Sequence, residues 1–313
     1  IIEILEELVL ANSGVDSFNE IFKLIYAKLF DEWEAKFRTD RQLKFRKYKD
    51  PKTTYQVVSE LFEGAKKEWK GVFEETEKIK LTPEHLSICF AEIQEMKLFG
   101  ADLRIIDEAF EYLIPEVAKS KKGQYFTPRI IIDTAVKMLN PHRKEYVIDP
   151  ACGSAGFLVH VMQYVWEKYN MQQDNELKTV YARKFLWGID FEEKATKISR
   201  AIMLIAGDGR SHIYRENSLE FTRWSEKLKI DLKEEGLVRT ENFKDLNFDI
   251  LLTNPPFAGD IKESWLKALY EIVPESKRKP GSSIDRHILF IERTLDMLKP
   301  GGRMAIVLPQ GIF

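Results

Sequence analysis

Apolar positions along the chain follow two different periods, and the change between them falls near residue 119. Before it they recur at helical spacing. Phe18, Ile21, Phe22, Ile25, Leu29 and Phe30 form one stripe, preceded by Ser17 and Glu20 in the arrangement of a capping box. Thr82-Pro83 predicts an N-cap followed by proline at the first helical position. Leu86, Phe90, Ile93 and Met96-Lys97-Leu98 continue that helix, and Ile105, Ile106, Phe110 and Leu113 make a further stripe before Pro115. Such stripes are read as core, not as cofactor contacts.

After residue 119 short apolar runs alternate with helical stretches. Strands are predicted at Tyr146–Asp149, Phe185–Asp190, His212–Asn217, Phe248–Asn254 and Arg303–Leu308, with helices such as Glu192–Ala206 and Arg286–Leu298 between most of them. That alternation predicts parallel strands joined by crossover helices. The expected architecture is α/β: a doubly wound, mostly parallel sheet over residues 119–313, preceded by an all-α domain over residues 1–118. Residues 225–247 and 258–284 read as charged, loop-rich insertions. No internal repeat or long low-complexity tract is evident.

Length and composition narrow the function classes. A chain of 313 residues suggests about two domains. The net charge of −2 excludes a strongly basic coating protein but not a local basic face. One candidate is the run Lys36, Arg38, Arg41, Lys44, Arg46, Lys47, Lys49 and Lys52, interleaved with Phe37, Phe45 and Tyr48. It is suited to phosphate contact, although a solvated, salt-laced face is the preferred reading. The two cysteines, Cys89 and Cys152, make neither a disulfide framework nor a zinc site. No run approaches the roughly 20 apolar residues that span a bilayer, and no signal peptide is visible. A cytoplasmic setting without membrane association is the expectation.

Three stretches carry candidate chemistry. Asp149-Pro150-Ala151-Cys152-Gly153-Ser154-Ala155-Gly156 stands between a strand and a helix. Gly153 and Gly156 allow a tight turn and close approach of a ligand to the backbone, and the next helix begins with free N–H groups. Asp149, at the carboxyl end of its strand, is placed to accept a hydrogen bond from a ligand. The G-x-x-G spacing is not the dinucleotide fingerprint, so NAD is disfavoured. Asp190 ends the second strand, where an acid bonds ribose hydroxyls or caps the following helix. Asn217 ends the third and is a weaker candidate for a base edge. Upstream, Lys121–Arg129 is a polar loop leading into a helix, with Thr127 as N-cap and Pro128 as first helical residue. A capped helix start of this kind can bind a carboxylate.

The third stretch is Asn254-Pro255-Pro256-Phe257, directly after an apolar strand. Proline ends the strand, and the residue before it is held extended. The Asn254 amide oxygen and the Pro255 carbonyl can then offer two acceptors to one amino group, with no competing N–H donors from the prolines. Phe257 offers a face on which a base can stack. This arrangement suits methylation of an exocyclic amine, whose lone pair is delocalised into its ring. Two acceptors on its hydrogens aim that lone pair at an electrophilic methyl group. Positioning and fixed dipoles can supply much of the catalysis.

On these stretches the chain resembles the modification subunit of type I restriction–modification systems, within the N6-adenine DNA methyltransferases. Gly123–Arg129 looks like the family's methionine-pocket loop, Asp149–Leu158 like its cofactor turn and Asn254–Phe257 like its catalytic tetrapeptide, in this subgroup's order. The resemblance implies that Gln124, Tyr125, Phe126, Thr127, Pro128, Arg129, Ser154, Ala155, Gly156 and Asp190 contact S-adenosyl-L-methionine, and Asp149, Gly153 and Asn217 join them as candidate cofactor contacts from their places at the turn and strand ends. It implies that Asn254, Pro255 and Phe257, with Pro256 in the same catalytic tetrapeptide, hold an adenine flipped out of duplex DNA. The implied partners are a DNA-specificity subunit, a second copy of the chain and a restriction subunit. The family's sheet continues past a fifth strand into a hairpin and a docking segment, neither visible in these residues. Two alternatives stay open: an N-methyltransferase acting on RNA or on a protein amide, and a non-catalytic cofactor-binding subunit of a defence complex.

Overall fold

A computed structural model describes residues 14–35, 42–70, 72–95, 97–98, 127–171, 173–205 and 212–312. The chain forms two compact units: Ile1–Ile114 with Leu204–Arg210, and Pro115–Met203 with Ser211–Phe313. The division expected at residues 118/119 lies outside the described residues, as do the Ile105–Leu113 stripe, Gln124–Phe126 and residues 36–41 of the basic run.

In the first unit the described helices are α1 (Ser17–Glu34), α2 (Pro51–Glu68) and α3 (Pro83–Gln94). All six residues of the first apolar stripe are buried. Charged residues of α1 are buried too, each with a partner, as burial of charge requires. Glu20 accepts the N–H groups of Lys80 and Leu81 at 2.7 and 3.2 Å, and Lys28 donates to the Gln94 carbonyl at 2.9 Å. The capping box expected at Ser17 is not formed. Asp16 is the N-cap, accepting from the Asn19 N–H, because Glu20 is drawn inward. Thr82 caps α3 as expected, but that helix ends at Gln94, short of Met96–Leu98. Of the basic run, Phe45 is core, stacked on Phe90 at 4.3 Å.

The second unit holds α4 (Arg129–Leu139), β1 (Val147–Asp149), α5 (Gly156–Lys168), α6 (Asn175–Phe185), β2 (Leu186–Asp190), α7 (Glu193–Ile205), β3 (His212–Arg215) and α8 (Glu226–Glu234). There follow β4 (Phe248–Thr253), β5 (Asp260–Ile261), α9 (Ser264–Ala268), α10 (Glu275–Arg278), β6 (Ile284–Asp285), α11 (Arg286–Met297) and β7 (Leu298–Ile306). Five strands form one parallel sheet in the order β3-β2-β1-β4-β7. Strands β1, β2 and β4 are buried along their whole length, which is why they read as largely apolar runs. Strand β7 starts at Leu298, five residues before the expected Arg303. Pro300 and its glycines fall where the pairing with β4 shifts register between Phe248 and Ile250, a place that tolerates proline.

The two stretches read as loop-rich insertions contain helices α8, α9 and α10. Their apolar residues (Leu228, Leu232, Phe243, Leu246, Leu266, Tyr270 and Val273) join the core on one side of the sheet. They are insertions in the chain but not in the packing. Pairing of Asp260 with Asp285 and of Ile261 with Ile284 closes the second of them at its base.

Candidate active site at the switch point of the sheet

Strand order reverses between β1 and β4, and open α/β sheets bind ligands at such a crevice, outside the carboxyl ends of the strands. Ile148 pairs with Leu251. In this register Asp149 falls opposite Leu252, so the glycine turn leaves β1 at the end of the sheet where, two residues beyond Leu252, Asn254 follows β4. The two motifs, about a hundred residues apart in sequence, thus emerge side by side.

The turn is built around two acids. Asp149 is buried and accepts the Ala151 N–H at 3.1 Å. Burial, reinforced by the charge of Asp190, pushes its carboxyl up to about 7, against the opposing pull of Thr253 and the Ala151 N–H. Asp190 reaches across from β2, accepting the Gly153 N–H at 2.9 Å with one oxygen and the Glu192 N–H at 2.8 Å with the other. Its carboxyl is also pushed up, to about 6, chiefly by burial. Each carboxylate has acceptor positions beyond those used here.

Backbone bonds complete the turn. Cys152 N–H donates to the Ile189 carbonyl at 3.0 Å, and Ala155 N–H to the Cys152 carbonyl at 2.7 Å. Ser199 donates to the Gly153 carbonyl and Ser218 to the Pro150 carbonyl. Gly153 has φ +52, and the space its Cβ would fill is open. Ala155, a non-glycine residue, takes φ 72 at the N-cap of α5, the strained backbone often found at binding sites. No side chain caps α5, so its first N–H groups are available to an anionic or polar ligand. Gly188 in β2 has no room for a Cβ, which would meet Ile213, Cys152 and Leu158.

Helix α4 runs parallel to α5. Asp133 pairs with His160 at 2.6 Å, and Asn140 accepts from Tyr164 at 2.7 Å. Their N-termini therefore lie at the same end, which brings Pro128 and Arg129 to the side of the glycine turn. Thr127 is not the N-cap expected of it. Pro128 holds that position with no side-chain cap, Arg129 is the first helical residue, and the Pro128 carbonyl accepts from Ile131.

Asn217 is folded into its own loop. Its Oδ1 accepts the Leu219 N–H at 3.1 Å and its Nδ2 donates to Glu220 at 2.8 Å. It lines a cavity of about 200 Å³ together with Phe191, Arg215, Glu220, Arg223 and Trp224. Phe191, 68% exposed, was not singled out from sequence. An aromatic residue directly after an acid that ends a strand was the available signal.

Beyond β4, Asn254 is half-buried, Pro255 buried, and Pro256 and Phe257 half-buried. The start of α11 braces this segment: His287 Nδ1 lies 3.2 Å from the Phe257 carbonyl, and the Arg286 N–H donates to the Gly259 carbonyl at 2.9 Å.

A five-stranded parallel sheet in this order, with a glycine turn after its first strand and acids ending the first two, is the class I S-adenosylmethionine-dependent methyltransferase fold. Residues 101–313 match the family model described as N-6 DNA Methylase, and the chain belongs to that family. It is 25% identical over 232 residues to the type I restriction enzyme EcoEI methylase subunit of Escherichia coli, a match covering 72% of this chain and 39% of that one. Two solved structures share the fold at 17% identity, each over 99% of this chain. A type I restriction–modification methyltransferase subunit from Streptococcus thermophilus does so with TM-score 0.61 over 74% of its length. A modification subunit assigned to a type I restriction enzyme of Vibrio vulnificus YJ016 does so with TM-score 0.65 over 70% of its length. The chain spans less than half the length of the curated relatives it matches. No described helix is long and apolar enough to cross a membrane.

Proposed function

We propose that this chain transfers a methyl group from S-adenosyl-L-methionine to N6 of adenine in duplex DNA, as the modification subunit of a type I restriction–modification complex. The observation that carries this is the emergence of Asp149–Gly156 and Asn254–Phe257 at neighbouring strand ends. The reading assigns methyl transfer to residues 119–313 and leaves residues 1–118 as a helical domain. Duplex DNA, a DNA-specificity subunit, a restriction subunit and a second copy are its partners, in the cytoplasm.

The residues present fit the cofactor. Two acids, an open turn at Gly153 and an uncapped helix start suit a ligand that carries both cationic and anionic groups. The aromatic face of Phe191 and the adjoining cavity suit a purine. Bound cofactor supplies an electrophilic methyl group. In this reading Asp149 and the start of α5 hold its amino-acid end, with Thr127–Arg129 at their side, and Asp190 holds its ribose. The Asn254 amide oxygen and the Pro255 carbonyl accept the two N6 hydrogens, and Phe257 stacks on the extruded base. No strong base is needed, because orientation of the lone pair is the demanding part.

Sequencing of DNA from cells that carry the intact locus tests this. N6-methyladenine in a fixed sequence context, lost when Asn254 is replaced, is the expected result. Unmodified adenine, with label from the cofactor found in RNA or protein, would overturn it.

A further inference from the structure

Three consecutive backbone carbonyls of the loop after β3 are each held by a buried donor. Trp224 Nε1 donates to Asn217 at 2.9 Å, Arg293 Nε to Ser218 at 3.0 Å and the Tyr270 hydroxyl to Leu219 at 2.7 Å. The three donors come from the loop itself, from α11 and from the excursion that follows Asn254–Phe257.

Arg293 is fully buried. Among the described residues it meets no carboxylate within ion-pair distance. Two of its other donors go to the carbonyls of Phe243, at 3.2 Å, and Lys244. The guanidinium stacks on Phe221 at 4.7 Å and on Trp224 at 5.0 Å, and burial lowers its pKa. A buried cation of this kind is costly. An apolar side chain of similar volume would remove the cost of the charge but leave three carbonyls without a donor. The fork of donors does something an apolar side chain cannot: it fixes backbone in one place.

What it fixes faces the site on two sides. Ser218 donates its hydroxyl to the Pro150 carbonyl at 2.5 Å, at the start of the glycine turn. Asn217, the preceding residue, is a wall of the cavity beside Phe191. Neither Arg293 nor Tyr270 lines that cavity. We propose that Arg293 and Tyr270 are positioning residues of the cofactor site, clasping loop 217–219 so that its wall and the Pro150 turn keep one spacing. The proposal rests on the cofactor reading above. Because Tyr270 lies in the excursion after the tetrapeptide, the clasp also ties the expected base-binding segment to the cofactor loop.

The test measures S-adenosylmethionine affinity, thermal midpoint and methyl-transfer rate at saturating cofactor in the intact protein. Tyr270→Phe removes one hydroxyl and keeps the ring. Its dissociation constant should rise about three- to tenfold, with the saturated rate close to wild type. Tyr214→Phe is the matched control. It removes a buried tyrosine's bond to Asp231, 2.6 Å long, and should lower the thermal midpoint without changing affinity. Arg293→Met takes the donor from three carbonyls and should lower the midpoint as well as weaken cofactor binding about tenfold, and Arg293→Lys should fall between it and the wild type. Wild-type affinity in folded Tyr270→Phe and Arg293→Met would overturn the inference and leave the cofactor reading standing. Failure of the wild type to bind S-adenosylmethionine would overturn both.

Discussion

The two loops that meet at the switch point are shaped by different means. Asp149–Gly156 is held from a distance: Asp190 from β2, Ser199 from α7 and Ser218 from beyond β3 all bond its backbone. Asn254–Phe257 takes its shape largely from its own covalent structure, since two prolines fix φ and remove N–H donors. A loop with many remote partners can sense charge, pH and substitution elsewhere. A loop stiffened by proline holds its acceptors in place through its own backbone geometry. The comparison predicts a division of labour, with cofactor affinity set at the first loop and the chemical step at the second.

The largest effect should come from Asn254→Ala. Loss of one fixed acceptor should slow single-turnover methyl transfer by about a hundredfold or more, on the order of 3 kcal/mol. Cofactor affinity should stay near wild type. Asn254→Asp keeps an acceptor and should retain more activity than alanine. Asp190→Ala should act on the other loop, because it removes a charged acceptor from the cofactor and from Gly153 N–H together. Calorimetry should show a loss of roughly 1.5–3 kcal/mol in cofactor binding. An unchanged dissociation constant in folded Asp190→Ala would erase the proposed division.

A smaller effect should follow from pH. Asp149 and Asp190 have folded pKa values of about 7 and about 6, above the ordinary 3.8. Raised carboxyl values mean that their contribution to stability is full below the ordinary value and lost as pH rises through 6 to 7. Binding of a cationic cofactor favours the ionised forms and runs the other way. Affinity should weaken about tenfold between pH 8 and pH 6, and titration in buffers of different ionisation heat should show proton release on binding. Flat affinity across that range would remove these acids from the cofactor. The smallest effect should be Gly153→Ala. With open space but φ +52, it should lower stability by about 1 kcal/mol in thermal unfolding.

Much of the fold was legible because β1, β2 and β4 are buried along their whole length and their sequences are mostly apolar. The glycine turn and the proline tetrapeptide were legible because each combines residues with special backbone geometry at a strand end. Helix α8 was not, since only Leu228 and Leu232 point inward from a nine-residue segment dominated by charge. Arg293 was not singled out within its predicted helix. Nothing in its neighbours signals that a guanidinium is buried there on three carbonyls. The N-caps at Asp16 and Pro128 each differ by one residue from expectation. Asn217 lay where a ligand contact was expected, but its amide closes its own loop, a bond that spacing cannot reveal.

The most direct test of the central claim is nucleoside analysis by mass spectrometry of duplex DNA after one turnover with S-adenosylmethionine carrying a deuterated methyl group. The protein should be intact and assembled with the specificity subunit proposed above. Deuterated N6-methyladenine as the labelled nucleoside, absent with Asn254→Ala, is the predicted result. Label on cytosine, label only in RNA or protein controls, or equal labelling by the wild type and Asn254→Ala would contradict it.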